Sequence, residues 1–177
     1  MRLFVAMRLP AECRPAIAKA AEPLDGALGA RMIGQENWHF TLKFIGEVDE
    51  VQATRIEDAL AGVKFAPFAV KLAGAGAYPS REVPRAIWVG GESEGAKALA
   101  AKIEEALAFL GGKPERFSVH LTVARSKGVA YVDKFMGNAE SLGEICSFEA
   151  KSFCLMKSVL GAQGATYEVL REYPANG

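Results

Sequence analysis

Apolar residues fall on every second position across 38–44, where Trp38, Phe40, Leu42 and Phe44 alternate with His39, Thr41 and Lys43. That period predicts a strand with one core face and one polar face. Ahead of it, residues 3–7 form a short apolar run that reads as a buried strand, bounded by Pro10, a residue suited to a helix's first turn. Cys13, Ile17, Ala20, Ala21, Leu24 and Leu28 then recur at helical spacing, with Gly26 and Gly29 at the end. Asp49 is placed to cap a helix whose Ile56, Ala59, Leu60 and Val63 make one stripe, and a strand through Phe68, Val70 and Leu72 follows.

Residues 77–85 are the most loop-like segment and predict a connection between two lobes. Beyond it, 86–90 reads as a strand, and Leu99, Ile103, Ala106, Leu107 and Leu110 mark a helix stopped by Gly111 and Gly112. A strand over 120–124, a short helix near 132–136 and two closing strands, about 148–157 and 166–173, complete the pattern. Strand, helix, histidine strand therefore occurs twice. This suggests a duplicated unit whose two histidine strands face each other across a groove.

Those two strands carry the chemistry. His39-Phe40-Thr41-Leu42 and His120-Leu121-Thr122-Val123 share one frame, 81 residues apart, and they hold both histidines of the chain. With only four threonines, at 41, 54, 122 and 166, two such pairings by chance come to roughly 1 in 2,000. In a strand, positions i and i+2 face one side, so each frame presents an imidazole and a hydroxyl roughly 6.5–7 Å apart along the backbone.

Composition narrows the partners. Lys plus Arg total 21 and Asp plus Glu total 21, so no global field favours long nucleic acid; any such contact is local, to an end or a single phosphate. Cys13, Cys146 and Cys154 are odd in number and lack a Cys-x-x-Cys spacing, which predicts reduced, mostly buried thiols and a cytoplasmic setting. The opening segment has too short an apolar run for a signal peptide, and no stretch approaches the ~18–20 apolar residues of a membrane span. The expectation is a soluble, internal monomer. No recognisable zinc spacing or phosphate-binding glycine loop is present: Gly74-Ala75-Gly76 lacks the Gly-Lys-Ser/Thr that would follow.

At these residues the chain resembles the 2H phosphoesterase superfamily and, within it, the RNA 2′,3′-cyclic phosphodiesterase family, also called the 2′-5′ RNA ligase or LigT-like family. The stretches 1–6, 38–47, 120–125 and 167–170 carry the resemblance, which runs over nearly the whole chain. Val119 departs from it, since relatives commonly have Pro before the second histidine. The resemblance implies a bilobal LigT-like α+β fold, one domain over 1–177 whose pseudo-symmetric lobes each carry one motif, with antiparallel sheets lining a central cleft and helices outside. It also implies cofactor-free, metal-independent hydrolysis of RNA ends or nucleotides bearing a 2′,3′-cyclic phosphate, to a 2′-phosphate.

That chemistry needs a proton taken from water and another given to the leaving ribose oxygen. Imidazoles suit both jobs, because a pKa of about 6.5 allows one neutral and one protonated ring near neutral pH. His39 and His120 are the catalytic candidates; the family-style assignment makes His39 the acid and His120 the base, an order the sequence itself leaves open. Thr41 and Thr122 can donate to non-bridging phosphate oxygens. Arg125 is a third phosphate-binding candidate, as relatives suggest, although five residues from His120 puts it on the opposite face unless the strand ends or bulges at Ala124. Lys43 shares the His39 face, Trp38 and Phe40 read as core, and Trp88, Tyr78 and Phe117 are placed to stack on a base, with Trp88 also readable as core. The competing functions are 2′-5′ ligation, hydrolysis of small cyclic nucleotides such as an ADP-ribose cyclic phosphate, and a non-catalytic module that binds nucleotides or RNA ends. A pure binder has no need of a second proton-transfer group.

Overall fold

The computed structural model describes every residue except 115, 128, 129, 162, 163 and 177. Strand β1 (Arg2–Arg8) leads into α1 (Arg14–Ala21), the short β2 (Ala30–Met32), β3 (His39–Glu47) and α2 (Glu50–Ala61). Then come β4 (Phe68–Tyr78), β5 (Ala86–Glu92), α3 (Glu94–Ala106), β6 (His120–Ser126), α4 (Asp133–Leu142), β7 (Glu144–Ala150), β8 (Ser152–Gly161) and β9 (Gly164–Pro174). Two antiparallel sheets result, in the orders β3-β1-β8-β9 and β2-β6-β5-β4-β7.

Local chemistry sets the helix limits. Asp49 caps α2 in a reciprocal box, accepting from the Gln52 backbone N–H at 2.8 Å while the Gln52 side chain accepts from the Asp49 N–H at 3.3 Å. Ser93 caps α3 by accepting from Ala96 N–H, and its hydroxyl donates to the Ala69 carbonyl, which ties α3 to β4. The helical stripe expected through Leu28 stops at Leu24: α1 gives way to a 3₁₀ turn over Glu22–Leu24, because Pro23 has no N–H for the α-helical ladder, and Leu28 ends up 75% exposed.

Three further sequence expectations change. The segment 79–85 joins β4 to β5, which are neighbours in one sheet, so it is a hairpin connection and not a link between lobes. Turn-rich composition marks a reversal of the chain but not the sheet that follows. The strand expected over 148–157 is two strands, with β7 ending at Ala150 in the second sheet and β8 starting at Ser152 in the first. Finally, Cys13 and Cys146, 133 residues apart, form a disulfide with Cα atoms 5.9 Å apart, and only Cys154 is a free, buried thiol.

The alternating faces of β1 show where the core sits. Leu3, Val5 and Met7 join the main apolar cluster with the helices, whereas Phe4 and Ala6 belong to a small separate cluster with Cys154 and Met156. Tyr167 packs on that second cluster, on the opposite face of the first sheet. Among the described residues, no helix is long and apolar enough to cross a membrane.

Candidate active site

His39 is the first residue of β3 and His120 the first of β6, and those strands approach each other where the two sheets meet. Each imidazole is held by the same device. His39 Nδ1 donates to the Asn37 carbonyl at 2.7 Å, and His120 Nδ1 donates to the Ser118 carbonyl at 3.0 Å, with the Ser118 hydroxyl at 3.3 Å. A carbonyl only accepts, so Nδ1 carries a proton in both rings and Nε2 is the nitrogen that exchanges one.

The surroundings of the two rings differ. Phe4 and Tyr167 enclose His39, with ring centroids 5.0 and 4.8 Å away, while Trp88 meets His120 edge-on at 6.2 Å. Burial holds the His39 pKa below the ordinary imidazole value, opposed by the bond to Asn37; the nearby charges of Arg125 and His120 lower it further.

One irregularity, repeated in both strands, decides what shares their face. Along β3, Thr41 pairs with Ala6 and Lys43 with Val5, leaving Leu42 as an extra residue. Along β6, Thr122 pairs with Trp88 and Ala124 with Ile87, leaving Val123 as the extra residue. After each bulge the parity flips. Lys43, expected on the His39 face, is therefore buried and bonded to Glu104 on α3 at 2.7 Å, while Phe44, expected in the core, is 60% exposed in the cleft. The same flip returns Arg125 to the side of His120 and Thr122, resolving the parity conflict through a bulge one residue earlier than Ala124.

His39, Thr41, His120, Thr122 and Arg125 all line one cavity of about 1310 Å³. Trp88 and Tyr78 line it too; Trp88 is half-buried and not part of the core. Trp38 and Phe40 are buried as expected, and Phe117 packs against the main core instead of the cavity. Among the described residues, no group of three or more His, Cys, Asp or Glu gathers to hold a metal ion. Sequence reasoning missed the Asn37 and Ser118 carbonyls, which have no side-chain signature, and the aromatic enclosure of His39 by Phe4 and Tyr167, which lie 163 residues apart in the chain. Two proton-exchanging nitrogens, two hydroxyls and a guanidinium around one cavity can bind an anion and move protons at it.

Comparison with known proteins follows the same lines. The family model described as LigT like Phosphoesterase matches residues 8–88 and 90–167. An RNA 2′,3′-cyclic phosphodiesterase of Archaeoglobus fulgidus is 37% identical over 180 residues, covering 98% of this chain and 99% of the relative. One from Methanocaldococcus jannaschii is 35% identical over 176 residues, covering 98% and 100%. Among solved structures, a Thermus thermophilus protein superposes with a TM-score of 0.84 at 27% identity over 100% of this chain and 99% of that one. E. coli LigT complexed with 3′-AMP superposes at 0.79 with 23% identity, covering 99% and 98%, which is a likeness of fold.

Proposed function

The chain belongs to the LigT-like phosphoesterase family and is a hydrolase, and from that premise we propose that it opens the 2′,3′-cyclic phosphate at an RNA 3′ end to a 2′-phosphate, using two histidines and no metal. Support for the substrate comes from relatives named for that activity that match this chain over nearly its whole length. The observation that carries the mechanism is the matched anchoring of His39 and His120, each with Nδ1 committed to a backbone carbonyl.

In the proposed step the oxygen of water attacks phosphorus while a neutral histidine, His120 in the family-style order, takes the water proton on Nε2. The bond from phosphorus to the 3′ oxygen breaks, and His39 as imidazolium gives its Nε2 proton to that oxygen. Solvent then returns one proton to His39 and removes one from His120. Negative charge grows on the non-bridging oxygens, where Thr41 and Thr122 donate hydroxyl hydrogen bonds and Arg125 supplies a planar guanidinium. Arg125 disfavours a charged His39 in the empty cleft. A bound phosphate anion offsets that repulsion and raises the His39 pKa, so substrate binding itself prepares the acid.

The test is turnover of an oligonucleotide ending in a 2′,3′-cyclic phosphate, in excess EDTA, with the product phosphate located. Expected are sustained activity and a 2′-phosphate. His39→Ala and His120→Ala each lower turnover by roughly 10²–10⁴ without loss of fold. Activity lost in EDTA and restored by Zn²⁺ or Mn²⁺ overturns the metal-free mechanism, and a 3′-phosphate product overturns the assignment of the leaving oxygen.

A further inference from the structure

The cleft side of the second sheet carries an aromatic surface that proton transfer does not require. On β4 and β5, Gly76 pairs with Trp88 and Tyr78 pairs with Ala86; on β5 and β6, Trp88 pairs with Thr122 and Gly90 with His120. Trp88 lies over its glycine neighbours: a methyl at Gly76 would collide with Cζ2 and Cη2 of the indole, and one at Gly90 would fall 2.9 Å from Cζ3. Glycine on the neighbouring strand β4 and again two residues along β5 itself thus lets the ring lie across the sheet as part of the cavity wall, beside His120. Two residues farther along β4 on the same face, roughly 6.5–7 Å away, stands Tyr78, 68% exposed and also lining the cavity. Ala86, the residue paired with it, is too small to cover it.

We infer that Trp88 and Tyr78 are two stacking platforms for the last two bases of a single-stranded RNA 3′ end, Trp88 taking the base next to the cyclic phosphate and Tyr78 the one before it. This rests on the activity proposed above and names its substrate as an oligonucleotide end. Three observations support it. The cavity, at about 1310 Å³, exceeds the roughly 300–1,000 Å³ of a typical small-ligand pocket, so it has room beyond one nucleotide. The chain's formal net charge is zero, which leaves stacking to supply affinity that a basic protein would draw from phosphates. Gly76, which lies under the indole, and Tyr78 are spaced along β4 by about twice the ~3.4 Å step of duplex bases, which fits an extended strand and not a paired end.

The experiment compares three substrates, ribose 2′,3′-cyclic phosphate, a nucleoside 2′,3′-cyclic phosphate and a dinucleotide ending in one, with wild type, Tyr78→Ala, Trp88→Ala and Trp88→Phe. For Tyr78→Ala the inference expects kcat/KM on the dinucleotide to fall about 5- to 150-fold, mainly through KM, with the other two substrates unchanged. Trp88→Ala should fall similarly on both base-bearing substrates but not on the base-free one, with Trp88→Phe recovering most of the loss. Equal losses on the base-free substrate would make Trp88 a support for His120 and overturn the stacking role. A Tyr78→Ala variant as active as wild type on the dinucleotide overturns the second platform. If wild type turns over none of the three, the proposed activity itself fails, an outcome distinct from active variants that ignore the bases.

Discussion

Phe44 and Arg125 occupy the same place in the two histidine strands, five residues beyond His39 and His120 and brought into the cleft by a bulge after each threonine. The frames match through the imidazoles and hydroxyls and diverge here. At this position one strand presents an apolar ring and the other a cation, which sets the two imidazoles in different surroundings.

Arg125→Gln keeps a planar polar group but removes the charge. It should lower kcat/KM by roughly 10- to 150-fold, the worth of a hydrogen bond to a charged group. Because the Arg125 charge contributes to the low His39 pKa, the same substitution should move the His39 titration upward. An NMR titration of the His39 ring that shows no upward movement would contradict the electrostatic link.

The pH dependence has a definite sign. His39 titrates below 6.5 in the free enzyme, so the kcat/KM profile should have one limb below that value, and His39→Ala should remove that limb. Inorganic phosphate in the cleft should shift the His39 titration back up. Between the folded pKa and about 6.5 the unfolded chain binds the proton that the native ring refuses, so stability falls with acidification through this window. His39→Gln should flatten that fall in denaturant titrations taken at several pH values.

Lys43 and Glu104 form a largely buried ion pair between β3 and α3. Glu104→Gln leaves the ammonium poorly compensated and should cost roughly 1.5–3 kcal/mol. The double replacement Lys43→Met with Glu104→Leu should recover much of that loss. A Glu104→Gln variant with an unchanged urea midpoint would show that the pair contributes nothing to stability.

Thiol titration checks the cysteine pairing. Unfolded without reductant, the chain should present one reactive thiol, from Cys154, and after reduction three. Removing a native disulfide typically costs about 2–5 kcal/mol, so Cys13→Ser with Cys146→Ser should melt lower while keeping the cleft.

The histidines and threonines were legible in the sequence because each pair precedes its bulge, within the reach of a period-two pattern. Alternation places Lys43 and Phe44 on the wrong faces because it presumes an unbroken ladder, and one extra residue inverts everything after it. Trp88 alternates like a core residue; its place in the cleft depends on Gly76, a partner on another strand. Cys13 and Cys146 pair over a separation at which spacing carries no geometric information. A helix limit is legible where a cap marks the start, as at Asp49, and hidden where a proline changes the winding within the turn, as at Pro23.

The order of strands in the two sheets makes the halves of this chain inseparable. The first half lends β2 and β4 to the sheet that bears His120, and of the last two strands β8 returns to pair with β1 while β9 pairs outside it. A cut in the 79–85 connection would leave β1 without β8 in one fragment and β5 without β4 in the other, each exposing an unpaired edge. Such fragments should be sticky and inactive alone yet able to reassemble when mixed. What descends from a repeated pattern in the sequence thus behaves as a single interlocked body, and the spacing of the two histidines is guarded by the exchange of strands, with no hinge needed to hold it.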